Sequence, residues 1–226
     1  MDLNFPPMDG SRKCWRVNGI TYYWRNGQLI CRTSKNEKRA PRKDENGKEL
    51  PLRSPAQEKS SSVFSEAQAM TKAYFLAHGH LLIWVVAPKT KPGQSSWALH
   101  RHLNKAAYIP DEGVRYFNSY RFSHGILELP DNFTVRRDGW HVTLEWEDDR
   151  DQPAAAAGDL LFVGYFHGGY PRSPLLVPAT GATRGEQRAE FDIPPLDQPD
   201  GGVLHLYPFF GRADKSAYAG SYYMRC

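Results

Sequence analysis

Between Trp140 and Glu147 the chain alternates without a break. Trp140, Val142, Leu144 and Trp146 are apolar, while His141, Thr143, Glu145 and Glu147 are polar or charged. A period of two puts every apolar side chain on one face of a strand, so that face must lie on a core while the other meets water. The same cadence continues through the C-terminal half. Runs rich in β-branched and aromatic residues predict further strands at 160–167, 175–178, 188–193, 203–209 and 217–224. Turn-forming connections separate them at 153–158, 168–173, 180–185, 194–202 and 211–216. Six or seven short strands over roughly 100 residues point to an antiparallel sandwich of immunoglobulin or fibronectin type III-like character. The Cys-Trp-Cys mark of true immunoglobulin domains is missing, because no cysteine lies between Cys31 and Cys226. Pro208 falls inside a predicted strand. It has no N–H to donate, which predicts an edge or a bulge at that point.

The N-terminal half has a different texture. Asn18-Gly19 and Asn26-Gly27 bracket segments rich in β-formers, and Asn-Gly supplies the positive φ that a tight hairpin turn requires. A short β-ribbon is predicted there. Residues 33–53 are charged and carry Pro41, Asn46-Gly47 and Pro51, which predicts an exposed loop. Ser54-Pro55-Ala56-Gln57 then supplies a cap, a proline at the first helical position and a Gln three residues after the cap. Val63, Ala67, Met70 and Tyr74 follow on one helical face, so a helix should run to about Ala77 with Gly79 as its C-cap. Residues 81–87 (LLIWVVA) fit either a buried strand or a helix end. Ser95 or Ser96 caps a second, shorter helix through about Ala107, with Leu99, Leu103 and Ala106 on one face. The fold class predicted is mainly β (α+β), with a ribbon and two helices in residues 1–115 and the sandwich in residues 116–226.

The run 19–32 (GITYYWRNGQLICR), the basic loop after it, and Pro55-Ala56-Gln57 opening a helix resemble a family of unknown function from Bacteroidetes genomes and their mobile elements. Its members show a Tyr-Tyr-x-x-Asn-Gly ribbon ending in Val-Arg, a lysine-rich stretch and a Pro-x-x-x-Gln helix start. Phe122-Ser123-His124-Gly125-Ile126-Leu127, Trp146 and the closing Tyr-rich segment are also similar. Two departures stand out: Cys14-Trp15-Arg16-Val17-Asn18 replaces the family's Gly-x-x-Gly-Asn, and residues 44–53 read as an insertion. The resemblance implies the ribbon-helix-sandwich architecture and a mobile-element or phage assembly component; it implies no activity.

Charge is unevenly spread. Residues 11–60 hold thirteen Lys/Arg against five Asp/Glu, whereas residues 110–226 hold eleven against seventeen. Such polarity suits an acidic partner at the N-terminal part, or head-to-tail self-association. Arg32, Lys35, Lys38, Arg39, Arg42 and Lys43 follow closely on Tyr22, Tyr23 and Trp24. Cations give salt-dependent phosphate affinity and exposed aromatics stack on single-stranded bases, so these nine residues are the candidate interaction site. His78-x-His80 and His100-x-His102 share a face only on a strand; on a helix the rings point apart. The acidic run from Glu145 to Asp151 lacks the calcium-loop pattern with its central glycine. His141 with Glu145, and Cys14 with Cys31, supply nucleophile–base residue types with no ordering geometry. No hydrolase, zincin, phosphate-loop or dinucleotide motif is present. The expectation is therefore a non-enzymatic structural or protein-interaction module with no cofactor, with nucleic-acid binding through residues 32–43 as the alternative and a metal-dependent enzyme third. Residues 1–10 carry no signal-peptide pattern and the three cysteines are irregularly spaced, which predicts a cytoplasmic protein and no membrane.

Overall fold

The computed structural model describes residues 14–17, 20–25, 28–33, 43–49, 51, 53–148, 155–178, 180–194 and 202–226. It divides into two compact units, Met1–Ser54 and Pro55–Cys226. In the first, β1 (Cys14–Val17), β2 (Ile20–Arg25) and β3 (Gln28–Thr33) form the predicted antiparallel ribbon. Register pairs Tyr22 with Trp15 and Cys31, and Tyr23 with Cys14 and Ile30.

The second unit opens with α1 (Pro55–His78), which starts at the predicted proline. The α-helix ends at His78, next to the expected Ala77, but Gly79 does not take the left-handed cap position. A 3-10 turn continues through Gly79–Leu81, and the left-handed position falls on Leu82 (φ 61°), whose N–H bonds back to Gly79 O. Within residues 81–87 the helix alternative holds for the central four: α2 spans Ile83–Val86 and buries Ile83 and Trp84. After it comes α3 (Ser96–Asn104), prolonged by a 3-10 turn through Ala107. Ala106, expected on its buried face, is exposed, because that turn rotates it away from Leu99. A small hairpin of β4 (Tyr108–Ile109) and β5 (Gly113–Val114) closes the helical part. No helix among the described residues is long and apolar enough to cross a membrane.

The sandwich is antiparallel throughout its strand pairs. One sheet holds β6 (Asp131–Asp138), β7 (His141–Glu147) and β10 (Arg188–Asp192) in the order β10-β7-β6. The other holds β8 (Leu160–His167), β9 (Leu175–Leu176), β11 (Leu204–Gly211) and β12 (Met224–Arg225) in the order β12-β11-β8-β9. Val142, Leu144 and Trp146 point inward as their alternation requires, meeting Leu161, Val163 and Phe210 of the facing sheet.

The second sheet departs from a free-standing sandwich because both of its faces are buried. Residues of β8 and β11 that point away from the first core, among them Phe166, Tyr207 and Phe209, pack on Tyr120 and Phe122, which join them in one buried cluster with Met70, Tyr74 and Trp84 of the helices. Every residue of β11 is buried, as a strand covered on two sides demands. The molecule is thus layered helix, sheet, sheet from Pro55 onward, and the compact unit takes in α1 to α3 rather than beginning at residue 116. Gly164 lets Phe122, which lies outside the helices, sit directly on β8. A Cβ there would meet the Phe122 ring at 2.3 Å.

Two strand expectations change. Residues 217–224 give only bridges at Tyr218 and Ala219 before the two-residue β12. Pro208 supplies the reason. It pairs with Val163 of β8, whose carbonyl faces β9 instead, so the missing N–H lies on the β12 side, where a longer strand would need it. Tyr222 N–H still donates to Pro208 O at 2.9 Å. The unpredicted β6 carries no buried residue. It joins β7 through a two-residue turn at Gly139-Trp140, with Gly139 at φ 59°.

Candidate docking groove

Helix α1 is anchored unevenly. Its buried residues run from Glu66 to His78, and there Arg172 Nε and Nη2 donate to the two Glu66 carboxylate oxygens at 3.0 and 2.7 Å. The turns before Glu66 extend past the core, and Phe64 is 51% exposed. Helix α3 lies beside these turns. Its start is set by Ser95, whose hydroxyl accepts the Ala98 N–H at 3.2 Å, an N-cap. Its roll is set by Leu99 and His100, both wholly buried. With those two inward, Ala98, Arg101, His102 and Lys105 border a groove shared with α1.

That groove measures about 700 Å³. Helix α1 contributes Ala56, Lys59, Ser60, Val63, Phe64 and Ala67, a stripe in steps of three and four that spans three turns. Val63, Phe64, Ala67 and Ala98 make the apolar part. Lys59, Arg101 and Lys105 are permanent cations beside them, and no Asp or Glu is among the lining residues. The Arg101 guanidinium sits 4.5 Å over the Phe64 ring, a cation–π contact that holds the charge next to the apolar surface. Among the described residues no ion pair neutralises Lys59, Arg101 or Lys105. Uncompensated positive charge around apolar surface attracts a ligand that is anionic and apolar at once.

Behind the groove the histidine pairs separate, as helical geometry dictates. His78 and His100 are buried on either side of Tyr74, with ring centroids 5.3 and 4.7 Å from it, while His80 and His102 are exposed. His100 Nδ1 lies 2.9 Å from Thr71 Oγ1. Burial among Tyr74, Trp84 and Tyr120 drives its pKa down to about 3. His78 donates from Nε2 to Pro174 O at 2.9 Å, and burial lowers its pKa as well. No group of three or more His, Cys, Asp or Glu among the described residues is placed to hold a metal ion.

The remaining candidates take structural places. The Asp148 side chain of the acidic run is turned in against Arg184, whose Nε donates to it at 2.5 Å. Glu145 accepts from Arg188 and Glu147 from Asn132, and Asp149 and Asp151 lie outside the described residues. His141 pairs with Asp192 across the β7–β10 ladder at 2.9 Å, not with Glu145. Tyr218 is buried and donates to Leu81 O, Tyr223 hydroxyl is bonded to His205 Nδ1 at 3.0 Å, and Tyr222 is 46% exposed.

In the N-terminal unit the alternation of β2 divides the aromatic candidates. Tyr22 and Trp24 share one face with Cys31 and Leu29, while Tyr23 shares the other with Ile30 and Arg32. Cys14 pairs with Tyr23 and Cys31 with Tyr22, so the two cysteines occupy different rows of the ribbon. Lys43 is exposed, and its backbone forms an isolated antiparallel β-bridge with that of Glu49. Lys35, Lys38, Arg39 and Arg42 lie outside the described residues. The groove itself was missed in the sequence. Its cations sit on two helices, and the only trace was Lys59, Val63 and Ala67 in one register with Arg101 and Lys105 in another. No known protein family matches the chain, and no curated protein is similar to it in sequence.

Proposed function

We propose that this protein is a non-enzymatic interaction module that holds a partner protein in the groove between α1 and α3. One observation carries the reading: three permanent cations and no carboxylate surround an apolar surface on exposed turns of helix. The resemblance to a mobile-element family adds a setting, that of an assembly component. Panning a library of displayed peptides on the full chain tests it, with a Phe64→Ala, Arg101→Glu, Lys105→Glu variant in parallel. Peptides that bind the wild type and not the variant are expected. Failure to enrich any, or equal capture by both proteins, refutes it.

A second reading is nucleic-acid binding through residues 32–43, favoured by Tyr23 and Arg32 lying on one ribbon face. It requires affinity for single-stranded oligonucleotides that falls steeply with salt and disappears when those cations are neutralised. Binding unaffected by that neutralisation would discard it.

A further inference from the structure

We infer that the segment the groove accepts is an acidic, amphipathic α-helix of about three turns. This rests on the reading of the groove as a protein-docking surface and specifies what docks there. The stripe from Ala56 to Ala67 covers three turns of α1, about 16 Å at the helical rise. A partner helix of roughly twelve residues matches that length.

The walls decide between helix and extended chain. An extended peptide gains its affinity from main-chain hydrogen bonds to a sheet edge. Both walls are helix, so beyond the first-turn N–H groups of α1 and α3 their backbone groups are bonded within the helices and offer no ladder to an extended chain. A strand laid on Val63, Phe64 and Ala98 would leave its own N–H and C=O groups unpaired over apolar surface, which is costly. A helix satisfies those groups internally and presents side chains alone. Its apolar stripe meets Val63, Phe64 and Ala98 above the buried floor at Ala67, and carboxylates on the stripe's flanks meet Lys59 on one wall and Arg101 and Lys105 on the other. A polynucleotide would satisfy the cations and leave the apolar part unmatched.

The test titrates the full chain with labelled synthetic peptides of about fourteen residues, capped at both ends so that terminal charges do not oppose helix formation. One carries Leu at helical i, i+3, i+4, i+7 spacing with flanking Glu. A second has the same composition with the Leu spacing scrambled, and a third has Lys for Glu. A single-stranded oligonucleotide and dodecanoate complete the set. The acidic helical peptide is expected to bind at least tenfold more tightly than the scrambled and lysine peptides and to gain far-ultraviolet helix signal on binding. Lys59→Glu with Arg101→Glu should weaken it by about tenfold. Equal binding of the scrambled peptide, or displacement of the helical peptide by lower concentrations of oligonucleotide or dodecanoate, overturns the inference. Panning separates the two levels: groove-dependent peptides without acidic residues would sink the acidic helix and leave the docking module standing, whereas no groove-dependent peptide would sink both.

Discussion

Acid should unfold the Pro55–Cys226 unit through His100. The ring is wholly buried, has Thr71 Oγ1 as its hydrogen-bonding neighbour, and is enclosed by the rings of Tyr74, Phe75, Trp84 and Tyr120. Its folded pKa is about 3 against an ordinary 6.5. A group whose folded pKa is depressed leaves stability untouched above its unfolded pKa. Below that point the unfolded chain binds the proton and the native ring does not, so stability falls as pH falls. The window runs from 6.5 down to about 3, at about 1.4 kcal/mol per pH unit. By pH 5 the loss from this residue alone is about 2 kcal/mol, within a total stability of about 5–15 kcal/mol. Urea unfolding followed by fluorescence and circular dichroism at pH 7, 6 and 5 measures it, comparing wild type with His100→Gln. Gln keeps a partner for Thr71 but cannot titrate. The variant's stability should fall less with pH by that amount, whatever its starting value. Parallel pH dependences for the two proteins would refute the account, because the other buried histidines, His78, His167 and His205, are common to both.

Three smaller perturbations follow from the packing. Gly164→Ala drives a methyl into the buried Phe122 ring and should cost about 1–3 kcal/mol in urea unfolding; a neutral result would mean the Phe122 ring can shift away from β8. Arg184→Ala strands Asp148 and the Glu128 carbonyl, a loss of about 3–5 kcal/mol, whereas Arg184→Met with Asp148→Leu should recover most of it. Leu82→Gly removes a side chain from a left-handed position (φ 61°) where it is 42% exposed. It should raise stability by up to about 1 kcal/mol, measured as an upward shift of the thermal midpoint.

Features whose cause is local could be read from the chain. Pro55 begins α1 because a proline ring presets the first helical φ, and Ser95 caps α3 because its hydroxyl reaches a free N–H. Strand β7 was legible because Trp140 to Glu147 alternates cleanly. By contrast, β6 was silent because Phe133 and Val135 are only half-buried among charged neighbours. The runs in β8 and β11 announced burial on both faces, but the pattern did not name what covers the second face, since a sheet and a helix pair demand the same apolar residues. The short run 81–87 was ambiguous for the same reason, and tertiary packing of Trp84 settled its centre as helix. The groove was out of reach, because Lys59 and Arg101 become neighbours only when α3 rolls Leu99 and His100 inward.

Helix α1 is one continuous element with two regimes. From Glu66 onward it is bolted down by the Arg172 pair and by Met70 and Tyr74, and before that it leaves the buried core and has Arg101 of α3 over the Phe64 ring. Amide protons in the rooted half should exchange with solvent at rates set by unfolding of the whole unit, while those near Pro55 exchange through fraying of the tip. A protease would find its first cut in the overhang, and a ligand seated beside it would act as a prop, shielding the tip long before it altered the melting of the core.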